Sequence, residues 1–124
     1  VLDGDHWVLN GQKLWITNGG IADFFTVFAR TDTPEGQITA FIVTRDMGGV
    51  THGPHEDKMG LRASSTTTIM LDNVRVPKDH VIGEVGKGFK VAMNVLNSGR
   101  TGLGGGCIGS MKKLIELTTK QCKE

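Results

Sequence analysis

His6-Trp7-Val8-Leu9-Asn10-Gly11-Gln12-Lys13-Leu14-Trp15-Ile16-Thr17, "HWVLNGQKLWIT", decides how the first half of the chain is read. Asn-Gly between two alternating runs is a strong hairpin signal, because both residues tolerate the positive φ of a type I′ turn. The spacing predicts that Leu9 pairs with Gln12, Trp7 with Leu14 and His6 with Trp15. Side chains alternate across a strand, so Trp7, Leu9, Gln12, Leu14 and Ile16 form the expected core face. His6, Val8, Lys13, Trp15 and Thr17 form the other. That second face is too polar for a core and too aromatic for an ordinary wet surface. A flat, partly polar group laid against it would suit it.

Outward from this stretch the pattern stays β to about residue 83. Ala22–Arg30, "ADFFTVFAR", is a near-continuous apolar run, which predicts a strand buried on both faces. Asp32-Thr33-Pro34-Glu35-Gly36 is turn chemistry, and Gln37–Arg45 returns as a strand. Met47–Thr51 reads as a short extended piece after a bend, and His52–Ser64 as an irregular loop. Ser65–Val76 is rich in Thr, Ile, Met, Leu and Val, and Pro77 ends it. Many strands joined by short turns predict a closed barrel or a two-sheet domain.

From Gly86 the period changes. Phe89, Met93, Leu96, Leu103, Cys107, Met111 and Leu114 recur at helical spacing. The expected fold is therefore α+β: an antiparallel barrel or two-sheet domain over 1–84, then one long helix over 85–124 opening a separate helical domain. Gly99, Gly102, Gly106 and Gly109 step by three, four and three residues, so they share one helix face. Each costs about 1 kcal/mol relative to alanine in a helix interior. Such a stripe reads as tight helix packing, as a groove for a ligand chain, or as a segment that is not helical.

With 124 residues, 38% of them hydrophobic, the chain can bury one modest core. A formal net charge of +1 removes any electrostatic case for binding nucleic acid. Cys107 and Cys122 lie about four turns apart on the expected helix, too far to bridge, and free thiols suit a reducing, intracellular setting. The chain starts almost at once in a strand and stops without a helix stop signal, and it reads as a piece of something longer. His52 and His55 have a spacing compatible with a metal but no accompanying ligand pair, so they read as solvated loop residues. Glu56-Asp57-Lys58 reads as a solvated charge cluster. Gly83–Gly88 superficially resembles a phosphate-binding turn, lacks a preceding parallel-strand unit, and reads as an interdomain hinge.

"KLWITNGG" (Lys13–Gly20), "MGLRASSTT" (Met59–Thr67) and "VRVPKDHVIGEVGKGFKVAMNVLNSGR" (Val74–Arg100) together resemble the acyl-CoA dehydrogenases. "ITAFIV" and "GGVTHGP" narrow the resemblance to the very-long-chain branch. It runs from about Asp3 to Cys122. It implies most of the family's middle β domain plus the first helix of its C-terminal helical domain. It also implies FAD held between these domains, and dehydrogenation of a fatty acyl-CoA to a trans-2-enoyl-CoA in β-oxidation. Electrons would pass to an electron-transferring flavoprotein, and the whole protein would be a homo-oligomer. Its location would be the mitochondrial matrix in a eukaryote or the cytoplasm of a bacterium.

Carried over by the resemblance, Trp15 would pack on the isoalloxazine ring. The Thr17 hydroxyl would bond near its N5–O4 edge, and Ile16 would contribute its backbone. Asn97, Ser98, Gly99 and Arg100 match the family's substrate-contact segment, with a structural ion pair as the other reading of Arg100. The family's catalytic base is a glutamate that lies downstream or, in a minority, at the position of Gly99. No catalytic residue is therefore expected in this chain, and the piece alone is expected to be inactive. Two other readings attach to the resemblance: a relative acting as a respiratory complex I assembly factor, and an acyl-CoA oxidase-like protein using oxygen.

Overall fold

A computed structural model of the chain describes residues 1–33 and 37–123. Pro34-Glu35-Gly36 of the expected turn lie outside the described residues. The chain divides into two compact units, Val1–Phe89 and Lys90–Glu124.

The first unit is built of strands β1 (Leu2–Asp3), β2 (His6–Thr17), β3 (Phe24–Arg30), β4 (Ile38–Thr44), β5 (Val50–His55), β6 (Thr66–Pro77) and β7 (Val81–Ile82). They form two antiparallel sheets, ordered β1-β2-β6-β5 and β3-β4-β7. Trp7 and Leu9 of β2 and Ile69, Leu71, Val74 and Val76 of β6 face Phe25, Val27, Phe41 and Val43 across the core. Trp7 meets Phe41 edge-on, with ring centroids 5.7 Å apart. Period-two alternation on the two inner faces accounts for this core, as in any sheet pair with one face wet.

The expected Asn10-Gly11 hairpin does not form. β2 is a single strand that pairs along its length with β6, His6 opposite Pro77 and Thr17 opposite Thr66. Asn10 instead binds the facing strand. Its Oδ1 accepts from the Asn73 N–H at 2.8 Å and its Nδ2 donates to Asn73 Oδ1 at 3.2 Å. Asn73 itself sits at φ +50° and Gly11 at φ +141°. The turn chemistry of Asn-Gly is thus used in a bulge, because β6 offers four core side chains that a two-stranded hairpin could not bury.

The expected faces change with it. Trp7 and Leu9 are buried and Ile16 half-buried as expected, but Gln12 and Leu14 are exposed and Lys13 is half-buried. Two further expectations need correction. The run expected to be buried on both faces is covered on one: in Phe24–Arg30, Phe25 and Val27 point into the core between the sheets while Phe24 and Thr26 stay exposed. The segment from His52 is not all loop, since His52–His55 pairs with β6, with a register break that accommodates Gly53-Pro54 on an edge strand. Extension starts at Val50, after turns that include Met47–Gly49.

β1 is tethered by an exposed pair in which Arg75 Nη1 lies 2.7 Å from Asp3 Oδ2. The hydrogen bond from Arg75, then its charge, hold the Asp3 carboxyl below its ordinary 3.8. A carboxyl depressed on folding stabilises the fold above its unfolded value, and that contribution is lost as pH falls through the lower folded value. In a titration followed by NMR, the Asp3 carboxyl should have its midpoint below 3.8 and return towards it in Arg75→Gln. An unchanged midpoint would mean that the pair does not persist in water.

The second unit consists of most of helix α1 (Gly88–Gln121), 34 residues that stay helical through all the internal glycines. The non-helical reading of the glycine stripe is thereby excluded. Among the described residues, the helix's own neighbouring backbone aside, no atom comes within 4 Å of where a Cβ would stand on Gly99, Gly102, Gly106 or Gly109. Leu96, Leu103, Met111, Leu114 and Leu117, which share one side of the helix, are exposed. A glycine-rich helix has little stability of its own in water, so an apolar stripe of this kind is made to be covered. Among the described residues, no helix is long and apolar enough to cross a membrane.

Candidate cofactor site

The site grows out of the register of β2 against β6. Leu9 faces Val74 and Gly11 faces Leu71, so β6 carries one extra residue there. Lys13 faces Ile69 and Ile16 faces Thr67, so β2 carries the extra residue at Leu14–Trp15. The second irregularity cancels the first and restores the pairing at Thr17–Thr66. Trp15 occupies this bulge at φ +54°, a left-handed backbone that a bulky residue rarely adopts. The consequence is an indole held out of the sheet, 72% exposed. Thr17 is exposed two residues on, and Ile16 between them is half-buried beside the core. The structure therefore keeps Trp15, Ile16 and Thr17 together, with the inner and outer roles the sequence suggested. Lys13 no longer shares the outer face with Trp15.

Lys13 turns inward instead. Its Nζ donates to the Phe28 carbonyl on β3 at 2.7 Å, joining the two sheets below the bulge. The chain leaving β2 is held as closely. Asn18, at φ +62°, donates its N–H to the Ser65 carbonyl at 2.7 Å, and the Gly20 N–H donates to Ser65 Oγ at 3.2 Å. Arg45 at the end of β4 donates from Nε to the Ala22 carbonyl at 2.6 Å and from Nη2 to the Gly19 carbonyl at 2.8 Å. Its guanidinium also lies 5.4 Å from the centre of the Phe25 ring. Gly19 packs on Thr67, where a Cβ would collide with Thr67 Oγ1, itself buried and without a hydrogen-bond partner among the described residues.

A cavity of about 280 Å³ opens beside the bulge, lined by Lys13, Ile16, Thr17, Ala22, Phe24, Phe25 and Ile69 among others. Leu14, Ile21 and Phe24 are exposed apolar side chains on the same stretch of chain. Of these site residues, sequence reasoning missed Arg45 and put Lys13 on the outer face with Trp15, where strict alternation places it; no local signal announces the bulge that turns it inward.

Asn97, Ser98, Gly99 and Arg100 are consecutive and exposed on α1. The Asn97 carbonyl accepts from Thr101 Oγ1 at 3.1 Å, within the helix. The ion pairs among the described residues are Arg75–Asp3, Lys78–Asp5 and Lys113–Glu116, so Arg100 has no carboxylate partner there. His52 Nδ1 lies 2.9 Å from its neighbour's carbonyl, and His55 Nδ1 lies 3.4 Å from Ser65 Oγ. No three metal-ligating side chains converge among the described residues. Cys107 and Cys122 are free and exposed.

The two-sheet unit thus displays an indole and a neighbouring hydroxyl on one strand, with a part-apolar cavity alongside. The family model for the acyl-CoA dehydrogenase middle domain matches residues 1–74. The very long-chain specific acyl-CoA dehydrogenase of Bos taurus is 56% identical over 119 residues, covering 90% of this chain and 18% of that protein. An acyl-CoA dehydrogenase from Bacillus anthracis, complexed with FAD, superposes with a TM-score of 0.74 at 49% identity, covering 78% of this chain and 16% of that one. Butyryl-CoA dehydrogenase from Megasphaera elsdenii gives a TM-score of 0.74 at 48% identity, covering 79% and 26%. The chain belongs to the acyl-CoA dehydrogenase family, whose members are FAD-dependent oxidoreductases. It spans less than a fifth of the length of the Bos taurus relative.

Proposed function

We propose that the full-length protein is an FAD-dependent acyl-CoA dehydrogenase that introduces the α,β double bond into long-chain fatty acyl-CoA in fatty-acid β-oxidation. The observation that carries this reading is Trp15, a large apolar plane held in solvent by a left-handed bulge. Strained, exposed aromatics on strands are rare unless something covers them. The fit to FAD is good on this chain's own residues. The Trp15 plane would pack against the isoalloxazine ring, the exposed Thr17 hydroxyl would donate at its polar edge, and Ile16 would offer backbone while anchoring to the core. Bound there, FAD supplies an acceptor for a hydride.

In the same reading, residues 1–84 are the middle β domain and 85–124 the first helix of the C-terminal helical domain, whose further helices cover the apolar stripe of α1. Asn97–Arg100 meet the acyl-CoA, with Arg100 the one charged residue of α1 between Lys90 and Lys112. The general base is a glutamate outside this chain, since Gly99 carries no side chain, and the chain by itself is inactive. The electrons leave to an electron-transferring flavoprotein, and the protein works as a homo-oligomer in the mitochondrial matrix or bacterial cytoplasm.

The test is the visible flavin spectrum of the full-length protein before and after anaerobic addition of palmitoyl-CoA or butyryl-CoA. Faster bleaching with palmitoyl-CoA is expected. Preference for butyryl-CoA would move the substrate class to short chains. Bound flavin that neither thioester bleaches would remove the dehydrogenase reading. A well-folded protein without flavin would favour an assembly role.

A further inference from the structure

We propose that Lys13 and Arg45 are positioning residues that lock the Trp15–Thr17 bulge from its two ends, so that the flavin-facing surface is set before the cofactor arrives. The inference rests on the flavin reading of Trp15–Thr17 for its consequence, and on independent geometry for the lock itself.

Both cations bind the backbone on either side of the bulge. Among the described residues neither has a carboxylate partner; each donates to backbone carbonyls instead. Lys13 is the last paired residue before the bulge, and its ammonium reaches across to the Phe28 carbonyl of the other sheet. Arg45 serves the far end. Its fork spans the Gly19 and Ala22 carbonyls of the turn that follows Thr17, while the Phe25 ring lies under the guanidinium. Charged donors form the stronger hydrogen bonds, and a half-buried carbonyl left without its donor is costly. Between these two anchors the pairing breaks at Leu14–Trp15 before resuming at Ile16 and Thr17, and the backbone is left-handed at Trp15 and at Asn18. A strained segment persists only where its surroundings over-determine it. The two anchors come from different places, one from β2 itself and one from the end of β4, so the bulge is tied to the three-stranded sheet on both sides.

The consequence concerns the cofactor's edge. A hydroxyl tunes a flavin only if it is held at a fixed place, and an offset of about 1 Å is enough to lose such an effect. Releasing either end should let Thr17 and Trp15 move without opening the core beneath them.

The experiment uses the full-length protein and the variants Lys13→Met and Arg45→Met, with Arg75→Gln as a control in the same sheet and away from the bulge. Amide hydrogen exchange is read by mass spectrometry without added substrate. Exchange over residues 14–22 should quicken at least tenfold in either methionine variant, with Val74 and Val76 in β6 and the control unchanged. The bound flavin's equilibrium with a redox dye should shift about tenfold in each methionine variant, equivalent to about 30 mV for a two-electron couple. Unchanged local exchange overturns the lock. Faster exchange with an unmoved flavin equilibrium also overturns the proposal, because the two residues would then be merely structural. Wild-type protein that holds no flavin refutes the functional reading, and this result is separate from either exchange outcome. Should a methionine variant fail to fold, Arg45→Lys carries the test, since it keeps the charge but loses the two-carbonyl fork.

Discussion

Trp15→Ala is expected to strip FAD from the full-length protein while leaving its β unit folded. The indole is 72% exposed within the chain, so its removal takes nothing from the core. Its energetic value lies in what covers it. Covering one face of the ring buries on the order of 100 Å² of apolar surface, worth about 2.5 kcal/mol, and weakens binding roughly 30- to 150-fold when lost. Alanine also accepts the positive φ of the bulge with less crowding than a large side chain, so any stability change is expected to be small. Titration of cofactor-free protein with FAD, followed by quenching of flavin fluorescence, measures the effect. An affinity within twofold of wild type would take Trp15 out of the cofactor site.

Gly49→Ala should have the largest effect on stability. Gly49 sits at φ +89° in the connection from β4 to β5, where its carbonyl accepts from the Asp72 N–H at 3.0 Å. A Cβ there would collide with the Asp72 carbonyl oxygen, which is backbone and fixed by the bulge at Asn73. Left-handed strain and overpacking against a rigid neighbour together cost roughly 3 to 5 kcal/mol. The urea midpoint should fall by at least about 1 M at the usual slope of about 1–3 kcal/mol per M for a small unit. Gly48→Ala is the matched control: it has no positive φ and nothing within 4 Å of a Cβ. Equal midpoints for the two variants would show that β5 can be displaced without loss.

Among the described residues, the class of the fold and most of its strands were legible because they rest on local period. Ile38–Thr44 and Thr66–Pro77 carry their core side chains largely in alternation, and α1 follows its apolar repeat. Trp15 and Thr17 stood out because no ordinary strand face combines them. The resemblance to acyl-CoA dehydrogenases rested on ordered motifs along the whole chain, and family membership follows from the match over residues 1–74.

The Asn10-Gly11 hairpin shows where local reading stops. Local chemistry dictates that this dipeptide bends or bulges the chain; it leaves open which partner β2 will choose. That choice is a competition between pairing with its own second half and pairing with β6, some sixty residues away. β6 wins because it brings Ile69, Leu71, Val74 and Val76 to one buried face. Every later consequence is non-local in the same sense. One extra residue in β6 demands one in β2, the compensating bulge ejects Trp15 and turns Lys13 inward, and carbonyls on β3 and beyond β2 capture two cations. Composition and period therefore specified the sheets, the helix and the aromatic–hydroxyl pair. How that pair is presented, and what holds it still, depends on the register between distant strands, and that register is set by packing across the core.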